Sequence, residues 1–174
     1  VQIPFGLYQD NKYFNFTKLR TDKEIELNNS MGKYTWKSKY LKNIKGFSLP
    51  SKSGISWTQA SDASFTIDLL TIPTNNIVIK FEGWAFVNSQ HKEQKVYIYV
   101  NNYKLMTKVF ELKNKDHLEH VFEVLIEKKI ISTSSVNIRF VFEKLISPAA
   151  LNINDDNRKL GLAIRAIGVS IDKK

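Results

Sequence analysis

The sequence predicts an all-β, jelly-roll-like sandwich of two antiparallel sheets with little helix. Three observations point there. Residues 76–87, 95–100, 120–126, 136–142 and 160–171 are short runs rich in Val, Ile, Phe, Tyr and Trp, residue types that fit a pleated, half-buried surface. Several of these runs alternate apolar with polar side chains, the two-residue period of a strand. Clusters of Asn, Ser, Thr, Pro and Gly separate them at short intervals, as in a sandwich or barrel.

In chain order, short strands are expected at 13–16, 24–27, 34–36 and 54–59, where the pattern is least regular. Residues 63–69 alternate small or polar with apolar side chains. The run 76–87 is a long strand in which Gly83 reads as a bulge or kink. Residues 95–100 form the next strand, Asn101 and Asn102 turn the chain, and 103–110 return as the second arm of a hairpin. Strands at 120–126 and 136–142 flank a Ser/Thr-rich loop at 130–135. The last strand spans 160–171, with Gly161 and Gly168 inside it. A short helix fits near 116–120 or 148–153. Total helix is expected to stay below about 15%, against the roughly one-third typical of globular proteins.

A length of 174 residues suits one domain over 1–174. Val1 is not a natural start residue, so the chain reads as processed or cut from something longer. The absence of cysteine removes a disulfide scaffold, a thiolate zinc site and a cysteine nucleophile together. No run of about 18 apolar residues is present, and the longest candidate, 160–171, is interrupted by Arg165.

The net charge is +9 and uneven: residues 12–52 hold ten Lys/Arg against three acids. A basic chain suggests nucleic acid, but only Arg20, Arg139, Arg158 and Arg165 are arginines, and base readout and phosphate forks favour arginine. No nucleic-acid partner is therefore expected. Two readings remain for the basic quarter. One is a solvated lysine-rich surface. The other is attraction of Lys33, Lys37, Lys39, Lys42 and Lys45 to an anionic membrane surface or lipopolysaccharide.

Catalytic chemistry finds no foothold. There is no Gly-x-Ser-x-Gly elbow and no phosphate-cradling glycine loop. His91, His117 and His120 read as surface histidines. The spacing of His117 and His120 could ligate a metal on a helix, but no third ligand accompanies them. Asp155 and Asp156 form an acidic doublet that reads as a turn. No catalytic residue is assigned. A structural calcium would draw on Asp62, Asp155, Asp156 and Asp172, although no ligand spacing marks them; no other cofactor is expected.

Aromatic residues are the richer signal: eleven Phe, seven Tyr and three Trp. Sugar rings present C–H faces that stack on aromatic planes, while polar side chains take the hydroxyls. Trp36 lies among lysines, Trp57 beside Ser56, Thr58 and Gln59, and Trp84 inside an apolar run. Each has a plainer reading as core.

Two segments resemble a known family. Gly46, Pro50, Gly54, Trp57 and Ala63 follow a pattern written Gly-Trp-Ser-x-Pro-Glu, then Gly-x-x-Trp-Ser-x-Gly-x-x-Ala-x-Leu. Ser147, Pro148, Asp156, Arg158, Leu160 and Gly161 follow Ser-Pro, then Asp-x-Arg-x-Leu-Gly-Leu-Ala-Leu. Residues 96–101 are similar to a strand ending in Val-Asn-Gly. Phe47, Ser51 and Ala60 depart from the pattern, so the family's glutamate has no counterpart here. The pattern is that of a β-sandwich accessory, carbohydrate-binding-like domain attached to bacterial membrane glycosyltransferases or phosphoglycerol-transferase-like cell-surface glycan enzymes, and it covers 13–172. The resemblance implies a non-catalytic, extracytoplasmic domain, periplasmic or at the cell surface. Residues 1–12 would link it to the catalytic membrane region of the same polypeptide. The implied partner is a glycan or lipid-linked saccharide, with Trp36, Trp57, Trp84, Asp156 and Arg158 as binding candidates. A purely structural or assembly domain without ligand is the competing reading. Arg158, two residues after Asp156, is expected to make a buried or half-buried fork that pins its loop against the sheet.

Overall fold

A computed structural model describes residues 32–34, 40–69, 71–118 and 120–172. The segments 1–12, 13–16 and 24–27, read as linker and strands, lie outside the described residues.

Ten strands are present among the described residues: β1 (Gly32–Tyr34), β2 (Leu41–Lys45), β3 (Ser56–Trp57), β4 (Asp62–Asp68), β5 (Ile77–Ala85), β6 (Glu93–Val100), β7 (Tyr103–Glu111), β8 (His120–Ile126), β9 (Ser135–Phe142) and β10 (Leu162–Ile171). They form two five-stranded sheets. One runs β1-β10-β5-β8, with β3 also paired to β10; the other runs β2-β4-β9-β6-β7. Every pairing is antiparallel. Helix among the described residues is limited to 3₁₀ turns at Leu112–Asn114, Lys128–Ile130 and Ala149–Leu151. The fold is the expected all-β, jelly-roll-like sandwich.

Strict alternation builds the core. In β4, β6 and β9 every second residue is buried, because one face of each strand meets the opposing sheet. Phe81 of β5 stands at the centre. It stacks on Phe122 at 5.1 Å and meets Phe140 edge-on at 5.4 Å and Phe65 at 6.4 Å. Phe65 and Phe140 come from the other sheet, so this cluster joins the two layers. Burying each such side chain stabilises the fold by about 1.5–3 kcal/mol.

The hairpin β6–β7 turns at Asn101 and Asn102, both left-handed with φ of 47° and 70°. Asparagine tolerates that conformation, and two such residues make the turn whose twist suits a hairpin.

The irregularity expected at Gly83 lies across from it. The register of β10 against β5 shifts between Ile164 and Ala166, so the extra residue is Arg165. Gly83 passes so close to β10 that a Cβ there would sit 1.9 Å from the Ala163 carbonyl oxygen. Arg165, displaced by the bulge, turns toward Glu82 at 3.9 Å, and both are buried.

Three local details add to or change the expectations. Residues 41–45 form a strand where the lysine pattern gave no apolar alternation: only Leu41 is buried. The strand expected at 54–59 contracts to two residues, because 51–55 fold back through Ser51 N–Ile55 O and Gly54 N–Ser51 O hydrogen bonds. Of the two places offered for a short helix, 148–153 carries the 3₁₀ turn Ala149–Leu151, while residues 116–118 are turn and bend.

Candidate functional site

The strand ends place the loops 46–55, 86–92, 112–118 and 143–161 at one end of the sandwich. Trp57 and Trp84 belong to this end. Trp57 pairs with Ala163 on one side of β10, and Trp84 pairs with Ala163 on the other. Directly paired residues project to the same face of a sheet, so both indoles stand on the outer face, with only a methyl group between them. They meet at right angles with centroids 5.8 Å apart. Phe86 adds an edge contact to Trp57 at 6.3 Å and stacks on His91 at 6.1 Å. Neither tryptophan is buried, so part of each indole faces outward.

The backbone beneath Trp57 is held from three sides. Trp57 N donates to Ser48 Oγ at 3.0 Å, and Ser48 N donates to Trp57 O at 2.8 Å. Thr58 Oγ1 accepts the Leu162 amide at 2.8 Å, inside the protein. The pair is therefore pre-organised: little freedom remains to be lost on contact with a ligand.

The histidines read as surface residues are corrected. His91 and His117 are buried. His91 Nε2 donates to Gln94 Oε1 at 3.1 Å, and Gln94 Nε2 donates to Lys144 O at 3.0 Å. His117 Nδ1 lies 3.3 Å from Glu111 O. Satisfied inside the protein, both serve packing. The side chain of His120 lies outside the described residues.

Asp156 and Arg158 form a fork: Arg158 Nε lies 3.0 Å from Oδ1, and Nη2 lies 2.7 Å from Oδ2. These hydrogen bonds hold the Asp156 carboxyl below its ordinary range and raise Arg158. Asp156 also accepts the Arg158 amide, and its carbonyl accepts Ala149 N. The fork is an exposed brace of the loop onto itself, not a buried clamp against the sheet, because its two members are only two residues apart and Arg158 points to solvent.

The four aspartates weighed as calcium donors do not converge. Asp62 is committed to Arg139 and Asp156 to Arg158, while Asp172 follows β10 at the opposite end of the sandwich from Asp155. Among the described residues no three His, Cys, Asp or Glu come together.

The candidate lysines divide. Lys42 and Lys45 lie on β2, while Lys33 is on β1 of the other sheet, its side chain outside the described residues, as are Lys37, Lys39 and Trp36. The outer face of the sheet containing β2 also holds residues that sequence reasoning passed over: Tyr97, Tyr99 and Arg139. Their signal was the alternation of Lys95, Tyr97 and Tyr99 with Val96, Ile98 and Val100, which turns the branched residues inward and the amphipathic ones outward. Arg139 grips Asp62 through Nε at 2.9 Å and Nη2 at 2.7 Å, which lowers the Asp62 carboxyl and raises Arg139. Its guanidinium lies 5.3 Å from the Tyr99 ring. Lys104 Nζ sits 4.2 Å over Tyr97, whose hydroxyl donates to Glu143.

No family model and no curated protein sequence matches the chain. Solved structures do. A family GH115 4-O-methyl-α-glucuronidase with specificity for decorated arabinogalactans superposes with a TM-score of 0.51 over 86% of this chain at 6% identity. This chain spans 18% of that enzyme's length. A family 35 carbohydrate binding module from Clostridium thermocellum aligns over 82% of this chain and 99% of its own, with a TM-score of 0.46 and 10% identity. Another, from an environmental isolate, aligns over 80% and 96%, with a TM-score of 0.47 and 12% identity. At these identities the likeness is one of fold.

Proposed function

We propose that this domain is a non-catalytic glycan-binding module that takes a sugar against Trp57 and Trp84 at the loop-bearing end of the sandwich. The carrying observation is the indole pair itself: two half-exposed tryptophans, fixed by neighbouring strands over Ala163. The two indoles, set at right angles, form an apolar corner in which either ring can take the C–H face of a pyranose, and a rigid aromatic surface binds at low entropic cost. Asp155, Asp156 and Arg158 lie in the 143–161 loop at the same end, where hydroxyl groups would find partners.

The motif resemblance extends the proposal. The domain forms one unit, lies outside the cytoplasm and accompanies the catalytic membrane region of a glycosyltransferase on the same polypeptide, where it orients a surface polysaccharide or lipid-linked saccharide. It needs no cofactor. The lysines of the basic quarter would hold it near an anionic membrane surface.

Titration with a panel of neutral oligosaccharides, followed by tryptophan fluorescence and amide chemical shifts, tests the reading. Binding is expected, with Trp57→Ala weakening it at least about tenfold, equivalent to about 1.4 kcal/mol, while the circular dichroism stays strand-like. A panel that moves neither signal makes the domain structural instead.

A further inference from the structure

The outer face of the β2-β4-β9-β6-β7 sheet carries a line of side chains that the indole site does not use. Cross-strand pairing connects Lys45 to Ser64, Ser64 to Arg139, Arg139 to Tyr99 and Tyr99 to Lys104. These five residues form one row across all five strands. Its cations are rooted on β2, β9 and β7, every second strand, and strands lie about 4.8 Å apart, so the attachment points recur at roughly 10 Å over a row of roughly 19 Å.

The charges on the row are not used up. Arg139 engages Asp62 through Nε and Nη2, leaving Nη1. Lys45 and Lys104 share no ion pair among the described residues. Lys42 and Lys95, beside the row, are paired with Asp68 and Glu143. Three cations against one carboxylate leave the row with a surplus of two.

The chemistry selects the ligand. Lys104 and Arg139 lie over the rings of Tyr97 and Tyr99. A neutral sugar stacking there would have to displace them, whereas a sugar bearing a carboxylate uses them. Ser64, Tyr99 and the nearby Thr66 and Asn137 add donors and acceptors suited to hydroxyl groups. A straight row on a sheet, with cations at even intervals, matches a linear chain with repeating negative charge. It does not match a single lipid headgroup, which asks for cations gathered at one point.

We infer that this face is a second glycan subsite, for a uronate-bearing polysaccharide chain that crosses the strands along the row from Lys45 to Lys104. The inference rests on the glycan-binding reading above but uses none of the residues of the indole site.

The test titrates the full chain with oligogalacturonates of increasing length, with neutral galacto-oligosaccharides of matching length, with anionic phospholipid vesicles and with single-stranded DNA. Lys45→Gln with Lys104→Gln, Arg139→Gln, and Trp57→Ala are run alongside. Both lysines are exposed, so their neutral variants keep the fold. The oligogalacturonate is expected to bind more tightly as it lengthens to span the row, and more weakly as salt rises. The lysine double variant is expected to lose about fivefold to tenfold, on the scale of two exposed ion pairs, and Trp57→Ala to leave this binding unchanged. Oligogalacturonate binding that survives the double variant overturns the inference. So does an absence of uronate binding in a protein that still binds neutral sugars through Trp57, which leaves the glycan-binding reading standing. Loss of both kinds of binding removes the two readings together. Lysine-dependent binding of vesicles or DNA without uronate binding also overturns it and makes the face a phosphate-binding surface.

Discussion

Replacing Thr58 with valine tests how the indole site is held. Thr58 is fully buried, and its Oγ1 accepts the Leu162 amide at 2.8 Å, joining the chain after β3 to the first residue of β10. Valine keeps the shape and removes the acceptor. The Leu162 N–H is then buried without a partner, a cost of about 1–3 kcal/mol. With a urea m-value of about 2 kcal/mol/M, the midpoint falls by roughly 0.5–1.5 M at unchanged slope. Thr58→Ser keeps the acceptor and loses one methyl group, about 1 kcal/mol. Stability alone separates the two poorly, so amide exchange decides. In Thr58→Val the Leu162 amide should lose protection selectively, and acrylamide should quench Trp57 more readily as β3 loosens. In Thr58→Ser both should stay as in the parent. An unchanged Leu162 exchange rate in the valine variant, or equal loss in both variants, refutes the claim that this hydroxyl anchors β3 to β10.

Two further outcomes follow from the same geometry. Phe81→Ala opens a cavity between both sheets and should cost about 3–5 kcal/mol, read as a large drop in urea midpoint with near-ultraviolet dichroism altered by the loss of the Phe65, Phe122 and Phe140 contacts. The Asp62 carboxyl is held below its ordinary value of 3.8 by hydrogen bonds from Arg139. That pairing stabilises the fold above pH 3.8 and is lost as pH falls through the lowered value. Asp62→Asn should therefore be slightly less stable at neutral pH and show a shallower fall of Tm on acidification, and equal slopes for the two proteins would contradict it.

The regular half of the fold was legible because its strands carry their own evidence. Residues 95–100 alternate, Asn101 and Asn102 turn, and 103–110 return, all within one local hairpin. β2 and β3 were obscure for the opposite reason. β2 is an edge strand with Leu41 alone turned inward, and β3 is two residues long, stabilised by pairing with a strand far along the chain. The candidate site shows the same division. Trp57 and Trp84 were visible as single residues, but their meeting over Ala163 depends on a three-strand register that no local pattern encodes. The row from Lys45 to Lys104 needs four registers at once. His91 and His117 misled because burial of a histidine depends on partners such as Gln94 and the Glu111 carbonyl, which spacing does not reveal.

β10 follows the other nine described strands yet lies inside its sheet, with β5 on one side and β1 and β3 on the other. During synthesis the opposing sheet is complete once β9 has emerged, and Phe65, Ile98 and Phe140 already line its inner face. The layer that must cover them then has β5 and β8 in contact but a gap where Leu162, Ile164, Ile167 and Val169 belong. Pairings of such long range form slowly and leave apolar surface open in the meantime. A nascent chain that has emerged only as far as residue 161 therefore presents a strand-shaped slot, and the segment that fills it has yet to leave the ribosome.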